Sequence, residues 1–151
     1  MSFGADPRSA LMRYEDYAMV THPQDPPMIP SIKHIAPSAE IYILEGCHII
    51  EQSNSPDDPQ LSVARARVAP GVTTRWHRLK DTTERYYILQ GTGTVYIGET
   101  PPTPVGVGDV VIIPPFYPQC ITNTGSGDLI FLAICTPRFR DEVYEALDNC
   151  V

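Results

Sequence analysis

Short runs of alternating apolar and polar residues fill the chain from residue 38 onward and predict β-strands. Over residues 61–68, Arg65 and Arg67 share one face of a predicted strand, opposite the small residues Ala64 and Ala66, and we expect the arginines to face outward. Segments rich in Tyr, Ile and Val predict further strands at 84–89, 93–97, 110–113, 119–123 and 129–135, and the apolar segment 39–52 predicts two strands or one bent strand. Many short strands at roughly even spacing indicate a jelly roll or small barrel.

Both ends of the chain depart from this pattern. Pro137 fits a helix start, and apolar residues then recur at three- and four-residue steps, so a short C-terminal helix is predicted over 137–151. Residues 1–37 are irregular and Pro-rich and predict an N-terminal arm with one short helical stretch at 9–19. The chain is thus interpreted as one domain overall, with an arm (1–37), a barrel (38–136) and a C-terminal helix (137–151).

Composition narrows the class of protein. A chain of 151 residues has the size of one domain, and its 16 prolines and 10 glycines suit short strands and turns. The formal charge of -7 makes nucleic acid an unexpected partner, and no apolar run is long enough to span a membrane. The N-terminus has no secretory pattern, so we expect a cytoplasmic protein. The four cysteines form no CxxC pair and predict free thiols rather than a zinc cluster.

Two blocks of regularly spaced residues stand out within the predicted strands. The first block contains Gly71, His77, Leu79, Glu84 and Gly91, and the second contains Gly108, Pro114, Phe116, Gln119 and Asn123. Alternation along a strand places three groups of side chains on inward faces, namely His77 with Leu79, Glu84 with Tyr86 and Ile88, and Gln119 with Ile121. The blocks therefore direct polar side chains toward the interior of the barrel.

These two blocks resemble the two signature motifs of the cupin superfamily, over about residues 61–135. The resemblance implies an all-β fold, the double-stranded β-helix or jelly-roll barrel, and a homodimer formed through edge strands. It also implies one metal ion bound by three histidines and a glutamate. His77 and Glu84 match two of those four positions, whereas Leu79 and Gln119 stand where the family has its other two histidines.

One interpretation is a metal-dependent, dioxygenase-like enzyme. The resemblance leaves His77, Glu84 and Gln119 as ligands of one divalent ion, Fe, Mn, Ni or Zn, and three protein ligands with an open position are common in catalytic sites. The amide oxygen of Gln119 is a poorer donor than imidazole, and Leu79 offers no donor. His48, on a predicted strand before the two blocks, is a candidate for the missing imidazole, although a partly exposed strand histidine is the favoured alternative.

Two further interpretations need no metal. Burial in an apolar barrel raises the pKa of a carboxyl group, so Glu84 together with His77 would suit the proton transfers of an isomerase, epimerase or cyclase. The third interpretation is a non-catalytic module that binds a small ligand. In each case the partner is a small molecule in a pocket whose predicted lining residues are Leu79, Tyr86, Ile88, Phe116 and Ile121. The residues leave open which of the three interpretations applies and whether the protein is an enzyme.

Overall fold

A computed structural model describes residues 27–148 of the chain. The chain divides into two compact units, Met1–Pro30 and Ser31–Val151, and the strands described below all belong to the second. The helical stretch predicted at 9–19 lies outside the described residues, as does most of the predicted arm. Across residues 27–148, no helix combines the length and the apolar character needed to cross a membrane.

Eleven strands of the described chain form two antiparallel sheets. In chain order they are β1 (Ile41–Tyr42), β2 (His48–Ser53), β3 (Ser62–Val68), β4 (His77–Leu79), β5 (Thr83–Gln90), β6 (Thr92–Ile97), β7 (Thr103–Gly106), β8 (Val110–Ile113), β9 (Gln119–Asn123), β10 (Leu129–Thr136) and β11 (Tyr144–Ala146). One sheet has the order β1-β2-β3-β10-β5-β8 and the other β11-β4-β9-β6-β7. The two sheets form a jelly-roll barrel, which confirms the predicted all-β fold.

Alternation along the strands builds one apolar core between the two sheets. The buried members come from both sheets and include Ala66, Val68, Ile88, Ile121, Leu129 and Phe131. On the opposite face of β3, the guanidinium groups of Arg65 and Arg67 lie 3.4 Å and 3.1 Å from carboxylate oxygens of Glu40. This pairing outside the core confirms that the two arginines face outward.

Glycine is required at position 91, in the hairpin between β5 and β6. Gly91 has a φ of 84°, in the left-handed region that favours glycine. A Cβ atom at this position would lie 2.7 Å from the backbone oxygen of Asp128, which precedes β10. Gly91 therefore allows both the tight turn and the close approach of the chain that follows β9.

The C-terminal segment differs from the prediction. Where a helix was expected over 137–151, the described residues form a 3₁₀ turn at Asp141–Val143 and then β11, in which Tyr144 pairs with Leu79 of β4. Without β11, β4 would leave an unpaired row of backbone N–H and C=O groups at the sheet edge. Pairing these groups outweighs the apolar spacing that favours a helix, so the predicted C-terminal helix is wrong for the described residues.

Two short strands lie in segments whose sequence does not predict them. β4 has three residues, too few to show an alternating pattern, and β7 contains Pro104 in a segment with the composition of a turn. β7 is at the edge of its sheet, where the missing N–H of a proline is tolerated. Pairing of β4 with the distant β9, and of β7 with the preceding strand β6, rather than local composition, therefore decides that these segments are strands.

Candidate active site

A cavity of about 570 Å³ lies inside the barrel formed by the described residues. This volume is typical of sites that bind small molecules. Most of its wall is apolar, and representative lining residues are Ile43, Ile49, Ala66, Leu79, Phe131 and Tyr144. Among the titratable residues that line it, Glu45, His77 and Glu84 lie close enough to influence one another. These three residues form the candidate active site.

His77 is buried on β4 and is held in a defined tautomer. Its Nδ1 atom lies 2.7 Å from the backbone oxygen of Arg75. Because a carbonyl oxygen only accepts hydrogen bonds, Nδ1 carries a proton and donates it, so in the neutral ring the lone pair lies on Nε2. The ring stacks on Tyr144 at a centroid distance of 5.1 Å, which fixes its plane. His77 therefore directs Nε2, the nitrogen that can take up a proton in the neutral ring, toward Glu45.

Glu84 comes from β5 in the other sheet and is held by a buried network. The hydroxyl of Tyr86 donates to Oε1 of Gln119 at 2.6 Å, and Nε2 of Gln119 donates to Oε2 of Glu84. Gln119 is fully buried and does not line the cavity, so it stands behind the carboxyl group of Glu84. The network fixes one oxygen of Glu84, and the other, Oε1, lies 4.0 Å from Sγ of Cys135.

Glu45 is a site residue that sequence reasoning missed. It lies in the connection between β1 and β2, and its Oε1 is 3.7 Å from Nε2 of His77. The backbone oxygen of Glu45 accepts a hydrogen bond from the N–H of Arg75 at 2.7 Å. The backbone oxygen of Arg75 in turn accepts the hydrogen bond from Nδ1 of His77. The main chain of Arg75 therefore holds both members of the Glu45–His77 pair.

Burial shifts the acidity of both carboxyl groups toward neutrality. Desolvation raises the pKa of Glu45 to about 7. Desolvation also raises the pKa of Glu84 to about 7, against the nearby His77, which lowers it. Near pH 7 each carboxyl group is thus divided between its protonated and ionised forms, as a general acid or base requires.

Two tyrosines and two cysteines of the cavity wall stay protonated at neutral pH. Desolvation raises the pKa of Tyr144 to about 12 and raises the pKa of Tyr86 well above its ordinary value. Burial likewise raises the pKa of the Cys47 and Cys135 thiols. A thiol that stays protonated is a poor nucleophile, so the cysteines do not act by nucleophilic attack at this pH. Glu51 and Asp141 also line the cavity but are exposed, so the interior groups suited to proton transfer are Glu45, His77 and Glu84.

The side chains at the predicted metal positions do not fit a metal ion. Leu79 offers no donor atom, and the amide oxygen of Gln119 already accepts the hydroxyl proton of Tyr86. The amide nitrogen of Gln119, which cannot bind a cation, is the atom directed at Glu84. Across residues 27–148, no three His, Cys, Asp or Glu side chains are grouped so that they could hold a metal ion.

The other predicted site residues are placed as follows. Leu79 and Tyr86 line the cavity, whereas Ile88 and Ile121 are fully buried in the apolar core and do not. Phe116 does not line the cavity. It lies in the turn between β8 and β9, where it has a left-handed φ of 67°, and it is 46% exposed. His48 pairs with Arg67 on β3 and packs its ring against Tyr42, which lines the cavity, but His48 itself is not a lining residue.

One signal in the sequence does point to Glu45. It is the single charged residue in the apolar stretch from 41 to 50, and a carboxylate in such a stretch is rarely buried without a role. Tyr144, which orients the ring of His77, gives no such signal. Its position depends on the pairing of β11 with β4, which local sequence does not reveal.

Comparison with known proteins agrees with this architecture. A sequence profile of the cupin domain matches residues 64–135. The chain is 32% identical over 91 residues to an oxalate-binding protein of Thermotoga maritima, covering 60% of this chain and 74% of that protein. It is also 32% identical over 99 residues to a glucose-6-phosphate isomerase of Thermococcus kodakarensis, covering 58% of this chain. The chain spans about half, 51%, of that isomerase.

The solved structure of a Streptomyces nucleoside dehydratase has the same architecture. It superposes with a TM-score of 0.64 and covers 78% of this chain and 92% of its own, at 17% sequence identity. At this identity the similarity concerns the fold alone. The matched profile, the relatives and the barrel agree, and the chain belongs to the cupin superfamily.

Proposed function

We propose that the protein is a metal-independent enzyme that moves protons on a small molecule, as an isomerase does. The observation that carries this proposal is the arrangement of Glu84 and His77 in the cavity. A carboxyl group with a pKa of about 7 and an imidazole nitrogen with a free lone pair come from different sheets into one apolar cavity. This arrangement provides an acid and a base at the same pH.

The residues suit a two-step proton transfer next to a carbonyl group. His77 removes a proton from the carbon beside the carbonyl through Nε2, while protonated Glu84 donates its proton to the carbonyl oxygen, which gives an enediol or enol. In the second step an enol hydroxyl gives its proton to the ionised Glu84, while the imidazolium of His77 delivers its proton to a carbon of the enol or enediol. The ionised form of Glu45, whose Oε1 is 3.7 Å from Nε2, stabilises the transient imidazolium.

The isomerase among the relatives supports this reaction class. The glucose-6-phosphate isomerase of Thermococcus kodakarensis shares 32% identity with the chain over 99 residues. A dioxygenase-like reaction has less support, because Leu79 offers no donor and Gln119 is committed to its hydrogen bonds with Tyr86 and Glu84. Side chains that hold and move protons are present whether or not a metal binds.

The test measures hydrogen–deuterium exchange in a panel of uncharged aldoses and ketones. The protein is first treated with a chelator, each compound is then incubated with it in D₂O, and exchange is followed by proton NMR. We expect loss of the signal from the carbon-bound hydrogen beside the carbonyl. Glu84→Gln and His77→Gln should each slow this loss by about 10²–10⁴-fold, the usual contribution of a general acid or base. Glu99→Gln, at an exposed turn, is the matched control and should leave the rate unchanged.

Two outcomes would contradict the proposal. Exchange that appears only after a divalent metal is added would favour the metal-dependent interpretation. Binding of panel members without any exchange, and with equal affinity in Glu84→Gln, would favour a non-catalytic binding module.

We also propose that the chain forms a homodimer. β8 is one of the two edge strands of the six-stranded sheet, and its residues Val110 and Ile112 are 58% and 62% exposed. Tyr87 of β5 pairs with Val110 and extends this apolar surface. An exposed apolar edge strand is a common place for a second chain to pack.

A further inference from the structure

The charge of the cavity wall points to a particular class of substrate. Within residues 27–148, four carboxyl groups line the cavity, from Glu45, Glu51, Glu84 and Asp141, and no lysine or arginine does. Phosphate and carboxylate ligands are normally bound by arginine or lysine, or by rows of backbone N–H groups. Apart from His77, whose Nε2 lies beside the carboxyl group of Glu45, the lining side chains offer an anion no cationic partner.

The described arginines are engaged elsewhere and are not available to a ligand in the cavity. Each has a polar partner: Arg65 and Arg67 with Glu40, Arg75 with Asp148, Arg78 with Glu145, Arg85 with Thr136, Arg138 with Asn54, and Arg140 with Glu142. Of the described lysines, Lys33 pairs with Asp57, and Lys80 is exposed. Moving one of these side chains into the cavity would break its contact and bury its charge.

An anion in the cavity would also be repelled. Near pH 7 the carboxyl groups of Glu45 and Glu84 each carry part of a negative charge. In the low-dielectric interior, this repulsion acts over the few ångströms that separate a bound ligand from the wall. The apolar part of the wall, with Ile43, Ile49, Leu79 and Phe131, instead favours ligands with apolar surface.

We infer that the substrate is an uncharged or cationic small molecule with apolar surface, without a phosphate or carboxylate group. This inference rests on the proposed function and names the substrate class of the same site. The inferred substrate class also differs from the ligands for which two of the relatives are named. The oxalate-binding protein and the glucose-6-phosphate isomerase are each named for an anionic ligand.

The inference is tested with three probes of the same size, namely benzyl alcohol, benzylamine and benzoate, which are neutral, cationic and anionic at about pH 8. Calorimetry or ligand-observed NMR on the full chain gives the dissociation constant of each. We expect benzyl alcohol and benzylamine to bind at least about ten-fold more tightly than benzoate, which corresponds to about 1.4 kcal/mol. The Glu45→Gln/Glu84→Gln variant should narrow this ratio by strengthening benzoate binding, whereas Glu99→Gln should keep it.

Equal or tighter binding of benzoate would overturn the inference, and so would failure of benzyl alcohol and benzylamine to bind at millimolar concentrations. The wild-type ratio decides the outcome by itself if the double variant does not fold. The result is distinct from the proton-exchange test. An anion-binding cavity with exchange intact would refute the substrate class alone, whereas the expected ranking without exchange would refute the reaction alone.

Discussion

Glu84 ties the stability of the fold to pH. Its pKa rises from 4.5 to about 7 on burial, so between these values the folded protein binds more protons at this carboxyl than the unfolded chain does. The contribution of Glu84 to the free energy of unfolding is therefore fully present below about pH 4.5 and is lost as the pH rises through about 7. The pKa of Glu45 is shifted in the same direction, so Glu45 contributes a pH dependence of the same sign. Glu45 also raises the pKa of Glu84, whereas His77 lowers the pKa of Glu84.

We expect the free energy of unfolding to fall between about pH 5 and about pH 8, by up to about 3 kcal/mol from Glu84. Urea denaturation at both pH values measures it. Glu84→Gln should make the fall in stability smaller, leaving the part due to Glu45, since an amide does not titrate, while Glu99→Gln should retain the wild-type slope. Wild-type stability that rises over this range would contradict the assignment.

Leu79 and Gln119 together account for the poor fit to a metal ion. The Leu79→His/Gln119→His variant removes the Gln119 amide, which bridges Tyr86 and Glu84. It also adds two imidazoles to His77 and Glu84, so that three histidines and a glutamate are present. We expect this variant to gain near-stoichiometric Ni or Zn, because imidazole suits both ions. Elemental analysis after purification without an affinity tag measures the gain. Stoichiometric metal in the wild-type protein, lost in His77→Ala, would show that the native donors suffice.

At the scale of elements, Asn123 joins β9 to two neighbouring segments. Its Nδ2 donates to the backbone oxygens of Val68 and Gly127, both at 2.8 Å, and its Oδ1 accepts from the N–H of Gly125 at 2.9 Å. Asn123→Ala removes these three hydrogen bonds and should destabilise the protein by about 2–4 kcal/mol. Chemical denaturation measures the loss. Thr124→Ala, at the exposed next position, should change little, and an equal loss there would contradict the role of Asn123.

The elements show what local sequence decides and what it does not. β5, β6 and β9 were predicted within one or two residues, because alternation and the turn glycine at 91 act over a few residues. β4 was indicated only by the motif spacing and β11 was not predicted, since both depend on pairing with distant strands, whereas β7 was not predicted because its segment has the composition of a turn. The site follows the same division. Motif spacing indicated His77 and Glu84, whereas the contact of Glu45 with His77 arises where a loop meets β4.

At the scale of the whole molecule, the apolar edge of β8 is the surface on which the proposed homodimer depends. Ile112→Lys introduces a charge there and should shift the chain from dimer to monomer in analytical ultracentrifugation. Val107→Lys, at a residue 69% exposed beside β8, is the control for added charge outside the strand. A monomeric wild-type protein, or a dimer unaffected by Ile112→Lys, would refute this interface.

The main-chain anchoring of Glu45 has a consequence for protein engineering. The connection from Ile43 to Cys47 is closed by its own backbone hydrogen bonds, and the Arg75 N–H holds it through the carbonyl of Glu45. None of these bonds involves the side chain at position 45, so that position can be varied while the loop keeps its attachment. Saturation mutagenesis at residue 45 would therefore exchange the group next to His77 within an unchanged barrel, which makes it a natural starting point for directed evolution of new reactions.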